Sequence, residues 1–141
     1  MEKLKNTYDS LNKALITLDS ANKFYKKTSE NDEVYVHIRN SVIKSFEYTM
    51  DSFWKFLKLY LEMKYNEEEL NSPRSIFKKC LDIKIINNIE FDNCAKLLED
   101  RNITSHTYNE ILAEEICESA PAHYQTMKTI VGRIEQEIKK Q

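Results

Sequence analysis

A chain of 141 residues with 31% charged side chains, one glycine and two prolines leaves little room for turn-rich β architecture or for α/β folds built on tight glycine loops. Its formal charge of −2 supplies no global field toward nucleic acid or an anionic membrane, so an RNA contact needs a local basic patch or one assembled between subunits. Cys80, Cys94 and Cys117 are odd in number and far apart, which fits reduced thiols in a cytoplasmic protein better than a disulfide framework.

The length fits one domain, residues 1–141, with a sizeable core. Met1-Glu2-Lys3-Leu4-Lys5 leads straight into an amphipathic pattern and lacks a signal-peptide core. No apolar run approaches the roughly 18 residues of a membrane span.

Leu4, Tyr8, Leu11, Leu15, Leu18, Asn22 and Tyr25 step by fours and threes, predicting a first helix to about Lys27. Thr28 to Glu33 is polar and reads as a loop, with Asn31 or Asp32 as the next N-cap. The second helix is long, Val34 to Tyr65, with Ile38, Val42, Phe46, Met50, Phe53, Leu57, Tyr60 and Leu61 on its buried side. Its aromatic middle reads as core packing rather than a ligand platform. After a polar link, Ser72-Pro73 marks a helix start with Ser at N-cap and Pro at N1. That short third helix carries Ile76, Phe77, Cys80 and Leu81, and Asp82 to Asn88 forms a turn packed on the bundle.

The fourth helix spans Ile89 to Asn102, with Phe91, Cys94, Ala95 and Leu98 inward. Asn102, Ile103, Thr104 and Ser105 are indifferent helix formers. Thr107 and Glu110 then have capping-box spacing, placing Tyr108 in the first turn of the fifth helix. Pro121 is expected to kink or break that helix before Tyr124, Met127, Ile130, Val131, Ile134 and Ile138 continue it. The sum is an all-α, up-and-down four-helix-type bundle with an extra short helix.

Chemistry concentrates between the last two helices. Arg101 offers a planar fork of donors for a phosphate. His106 offers an imidazole able to transfer a proton, and Tyr108 carries a phenolic hydroxyl. In an unbroken helix Arg101 and His106 would stand about 140° apart around the axis, so a break is what lets both face one spot. His37, His106 and His123 are far apart, and neither an HExxH nor a paired-cysteine spacing exists. No metal and no cofactor is expected. Glycine-rich phosphate cradles are absent.

The run Asp100-Arg101-Asn102-Ile103-Thr104-Ser105-His106-Thr107-Tyr108 resembles the Arg-x4-His-x-Tyr motif of HEPN domains, and within them the nucleotidyltransferase substrate-binding proteins. Phe46-Glu47-Tyr48 with Trp54-Lys55, and Ser72-Pro73-Arg74, are matching blocks in the same order. The likeness covers about residues 1 to 135. It departs after Leu81, where the family often has glycine and this chain has Asp82-Ile83-Lys84. The resemblance implies a small helical bundle that pairs with a minimal nucleotidyltransferase. It implies a homodimeric toxin, a metal-independent endoribonuclease silenced by AMP addition to the motif tyrosine. Carried onto this chain, Arg101 and His106 are catalytic, Asn102 is an accessory polar residue, and Tyr108 is the modified side chain. Glu47, from its place in the long helix, is a carboxylate able to orient Arg101 or His106. The competing reading is a non-catalytic subunit that presents a substrate or nucleotide to the nucleotidyltransferase.

Overall fold

The computed structural model describes residues 2–67 and 69–140. Five helices lie within them: α1 (Glu2–Lys27), α2 (Tyr35–Tyr65), α3 (Pro73–Asp82), α4 (Asn88–Ile103) and α5 (Glu110–Lys139). A single 3-10 turn, Thr104–His106, joins α4 to α5, and no strand occurs among the described residues. The all-α bundle expected from the sequence is what forms. α1 and α2 pack side by side, α5 lies against both, and the shorter α3 and α4 pair with each other to supply the fourth corner.

The apolar stripe of α1 buries Leu4, Leu11, Leu15, Leu18 and Asn22, while Tyr8 and Tyr25 stay half-buried because their hydroxyls reach carboxylates on α5. α2 has 31 residues, about 46 Å at 1.5 Å per residue, and so spans the bundle. Phe46, Phe53 and Phe56 on it are fully buried core, each worth about 1.5–3 kcal/mol. α2 starts at Tyr35, with Val34 in the cap position making no side-chain bond, so the expected Asn31 or Asp32 cap is not formed. Asp32 instead closes the preceding turn. Its carboxylate accepts from the Val34 amide at 3.0 Å, the local bond that draws Asp into turns.

α3 begins as expected, with Pro73 at its first position and Ser72 in a reciprocal capping box with Ser75. The turn after it packs Ile86 into the core, with Ile83 and Ile85 half-buried. There Lys84 takes φ 64°, the left-handed conformation that glycine adopts without strain. Asn87 and Glu90 cap α4 one residue earlier than predicted. Its buried face is Cys94, Leu97 and Asp100, whereas Ala95 is exposed, correcting the inward assignment of Ala95. An apolar pattern misreads this helix because one of its inward residues is a carboxylate.

α5 also differs from expectation. Asn109, not Thr107, is its N-cap, accepting from the Ile111 amide at 2.9 Å and the Leu112 amide at 3.3 Å. The 3-10 turn uses up Thr104 to His106, and the Thr107 hydroxyl donates back to the Thr104 carbonyl. Tyr108 therefore sits in the turn before α5 rather than in its first turn. Pro121 does not break the helix. It is exposed within the continuous helix, while Ala120, His123 and Tyr124 are buried around it. All three cysteines are buried and free, and burial pushes each thiol up to about 12.

Candidate functional site

The site forms where α4 ends. Arg101 lies in the last turn of α4, where a cation complements the helix dipole. Its guanidinium closes on α2: Nε donates to Asp51 Oδ1 at 2.8 Å and Nη2 to Asp51 Oδ2 at 2.9 Å, a bidentate pair. Nη1 donates to Glu47 Oε2 at 3.3 Å and to Thr104 Oγ1 at 2.9 Å. Thr104 in turn donates to Glu47 at 2.8 Å. Glu47 and Asp51 are one helical turn apart on α2 and so share a face. The hydrogen bond to Asp51 is the main reason the guanidinium is held charged above its ordinary range. Little donor capacity remains on Arg101, since its fork is already filled by a carboxylate.

His106 ends the 3-10 turn, exposed, with no hydrogen bond to its ring among the described residues. Tyr108 is 85% exposed, and its ring meets the His106 ring edge-on at 6.2 Å. No hydrogen bond joins Arg101 to His106 within the described residues; they share one short turn but face different partners. Asn102 is exposed, and its carbonyl accepts from Ser105. Among the described residues no three His, Cys, Asp or Glu side chains converge in a metal-holding group.

Beside the turn lies a cleft of about 430 Å³ lined by Arg39, Asn40, Ile43, Lys44 and Glu47 of α2 and by Thr104, Thr107, Tyr108 and Glu110. Arg39, only 8% exposed, is a buried charge. It reaches Glu114 at 3.4 Å, and Glu114 also accepts from the Tyr25 and Tyr35 hydroxyls at 2.5 Å each. Burial raises the Glu114 carboxyl, but those three donors outweigh it and hold it below its usual 4.5. Tyr25, which burial and the same carboxylate push upward, stays a donor.

With this geometry in view, the comparisons decide the family. A model of the family described as nucleotidyltransferase substrate binding protein like matches residues 6–136. The chain belongs to this family. A Thermus thermophilus protein of known structure is 32% identical, with a TM-score of 0.74 over 87% of this chain and 97% of that one. A tri-AMPylated HEPN toxin from Shewanella oneidensis, solved in complex with MNT antitoxin, is 16% identical with a TM-score of 0.74, covering 94% of this chain and 96% of its own. A toxin–antitoxin structure with AMP-PNP is 13% identical at a TM-score of 0.71, covering 93% and 96%. At those last two identities the likeness is one of fold. No curated protein matches the sequence. No helix of the described residues is long and apolar enough to cross a membrane.

Sequence reasoning missed three partners within this family member. Asp51 was legible in principle, four residues after Glu47 on the same helix face. The Arg39–Glu114 contact joins α2 to α5 and leaves no local signal. The third is a buried pair: His123 Nε2 lies 2.6 Å from Asp100 Oδ2, with the two residues 5% and 4% exposed. The His123 ring stacks on Phe46 at 5.2 Å and 21°. Burial alone would raise the Asp100 carboxyl; the His123 hydrogen bond and charge, with Lys96 at 3.4 Å, hold it below its usual 3.8.

Proposed function

We propose that this chain is the toxin half of a toxin–antitoxin pair, an endoribonuclease acting as a two-fold dimer in the cytoplasm. Its partner is a separately encoded minimal nucleotidyltransferase that silences it by transferring AMP to Tyr108. Membership of the nucleotidyltransferase substrate-binding family and the fold shared with a HEPN toxin support the reading. The observation that carries it is the division of labour at one turn: Arg101 is anchored to α2, while His106 and Tyr108 stand free in solvent beside it.

In the proposed reaction His106 takes the proton of a ribose 2′-hydroxyl, whose oxygen attacks the adjacent phosphorus. The P–O5′ bond breaks, and the departing 5′-oxygen receives a proton, leaving a 2′,3′-cyclic phosphate and a 5′-hydroxyl. One imidazole cannot easily serve both sides of an in-line displacement. A second copy related by two-fold symmetry supplies the second His106, and with it a second Arg101 to offset charge on the phosphoryl oxygens. Asn102 and Glu47 are accessory, Glu47 through its bond to Arg101. In silencing, the Tyr108 hydroxyl oxygen attacks the α-phosphorus of ATP, pyrophosphate leaves, and the phenolic proton passes to solvent.

A second reading, a non-catalytic subunit presenting a substrate to the nucleotidyltransferase, is favoured by the closure of the Arg101 fork on Asp51. One experiment separates the two: purified wild type and His106→Ala incubated with RNA in a chelator, with the ends analysed. Cyclic-phosphate products from wild type alone support the ribonuclease. No cleavage by wild type transfers the case to the binding subunit.

A further inference from the structure

We infer that the cleft between α2 and the Thr104–Tyr108 turn is the seat of the nucleotidyl group carried by Tyr108, with Lys44 and Arg39 facing its phosphate. This rests on the modification of Tyr108 proposed above but assigns the group a place that the motif alone does not. The motif points to Arg101, yet the Arg101 fork is filled by Asp51, and its remaining contacts go to Glu47 and Thr104. A phosphate arriving there finds only the second Nη2 hydrogen unassigned.

The cleft beside the turn shares Glu47 and Thr104 with that network, but its lining does not include Arg101 or Asp51. Tyr108 is among its lining residues, on the same short turn as His106. Its volume, about 430 Å³, lies within the range that holds one small ligand. Lys44 is exposed and makes no ion pair among the described residues, which leaves its ammonium available. Arg39 lines the cleft from a buried position; its single contact to Glu114 is long, at 3.4 Å, and its Nε has no acceptor among the described residues. Ile43, almost fully buried, is the apolar residue at the cleft, and Asn40 and the Thr107 hydroxyl offer hydrogen bonds. Two carboxylates also line the cleft. Glu47 is hydrogen-bonded to Arg101 and Thr104, and Glu110 sits in the first turn of α5, where the helix dipole offsets it. The seated group fixes the turn that carries His106, and so blocks the site by occupying its neighbour.

The test uses AMP itself and needs no partner enzyme. Isotope-labelled wild-type chain is titrated with AMP and followed by backbone amide NMR. The expected result is saturable low-millimolar binding that shifts Asn40, Lys44 and Thr107 and spares Asp51. Lys44→Glu should weaken it at least tenfold, whereas Lys5→Glu, beside Glu135 and Lys139 at the far end of α5, should not. Shifts centred on Arg101 and Asp51, no saturable shifts at all, or equal affinity in Lys44→Glu each overturn the seat. In a second arm the chain is treated with its nucleotidyltransferase and ATP, and mass spectrometry counts AMP on Tyr108. AMP absent from Tyr108 with an active enzyme defeats the modification reading, while the free-AMP titration still judges the cleft. AMP present on Tyr108 should leave added AMP unable to shift Asn40 and Lys44; continued shifts there overturn the seat alone.

Discussion

His106 and His123 are the same side chain in two different solvents. His106 ends a 3-10 turn, exposed, its ring touching little but the edge of Tyr108. His123 is buried on α5, bonded to Asp100 and stacked on Phe46. The first has the freedom and water access that proton transfer needs. The second is a cross-link joining α5 to α4 and α2. The two regions also meet in the chain: Asp100 precedes Arg101, and Phe46 precedes Glu47. The buried pair thus braces, one peptide away, both halves of the ion pair that anchors the site. A reactive side chain held loosely stands next to a frame held firmly.

The largest expected effect separates those roles. His106→Ala should lower RNA cleavage by about 10²–10⁴-fold, the usual worth of a proton-transfer group. Its urea midpoint should stay within about 0.5 kcal/mol of wild type, as for other exposed positions. His123→Ala should do the reverse. It leaves the Asp100 carboxylate buried without its main partner, at a cost of about 3–5 kcal/mol in urea denaturation. Cleavage per folded molecule should largely survive. A His123→Ala chain that is fully stable but inactive would mean the buried histidine is the chemical one.

The helices, the Ser72-Pro73 start and the break after Arg101 were legible because periodicity and capping are local signals. The exposed half of the site was legible for the same reason, since Arg101, His106 and Tyr108 lie within one short run. What was not legible is the polar frame. Asp100 to His123, Arg101 to Asp51 and Arg39 to Glu114 are contacts between helices, and a charge pointing inward reads as a solvated face until its partner is known. The start of α5 was misplaced by two residues because Thr107 and Asn109 both have cap chemistry, and the 3-10 turn decides between them.

Asp51→Asn probes the frame at the surface. The pair is part-exposed, with side chains 27% and 38% accessible, so its removal should cost about 1 kcal/mol or less of stability. Cleavage should fall by about tenfold, equivalent to about 1.4 kcal/mol in the barrier, because a guanidinium without its bidentate acceptor samples more orientations. Single-turnover cleavage beside a urea titration reads both. Equal losses in Asp51→Asn and His106→Ala would make Asp51 part of the chemistry rather than of its support.

The smallest effect lies in the acid limb of stability. In the folded chain the Asp100 carboxyl is held below its ordinary 3.8, and Glu114 below 4.5. An unfolded chain then binds more protons than the folded one as pH falls through those values, so stability drops with falling pH. The wild-type urea midpoint should therefore fall once pH passes below the ordinary carboxylate values, and continue falling to the lowered folded ones. In His123→Gln the His123 contribution is removed, which leaves burial, the largest single influence on Asp100, set against Lys96 alone. The expected outcome is that this carboxyl then titrates above its unfolded value. Protonating it relieves a buried charge, so the stability gap between His123→Gln and wild type should narrow as pH is lowered toward 4. Urea midpoints across that pH range are the measurement. A gap that stays constant for His123→Gln would mean Asp100 draws its low value from Lys96 instead, and that the buried pair is held by packing on Phe46 rather than by charge.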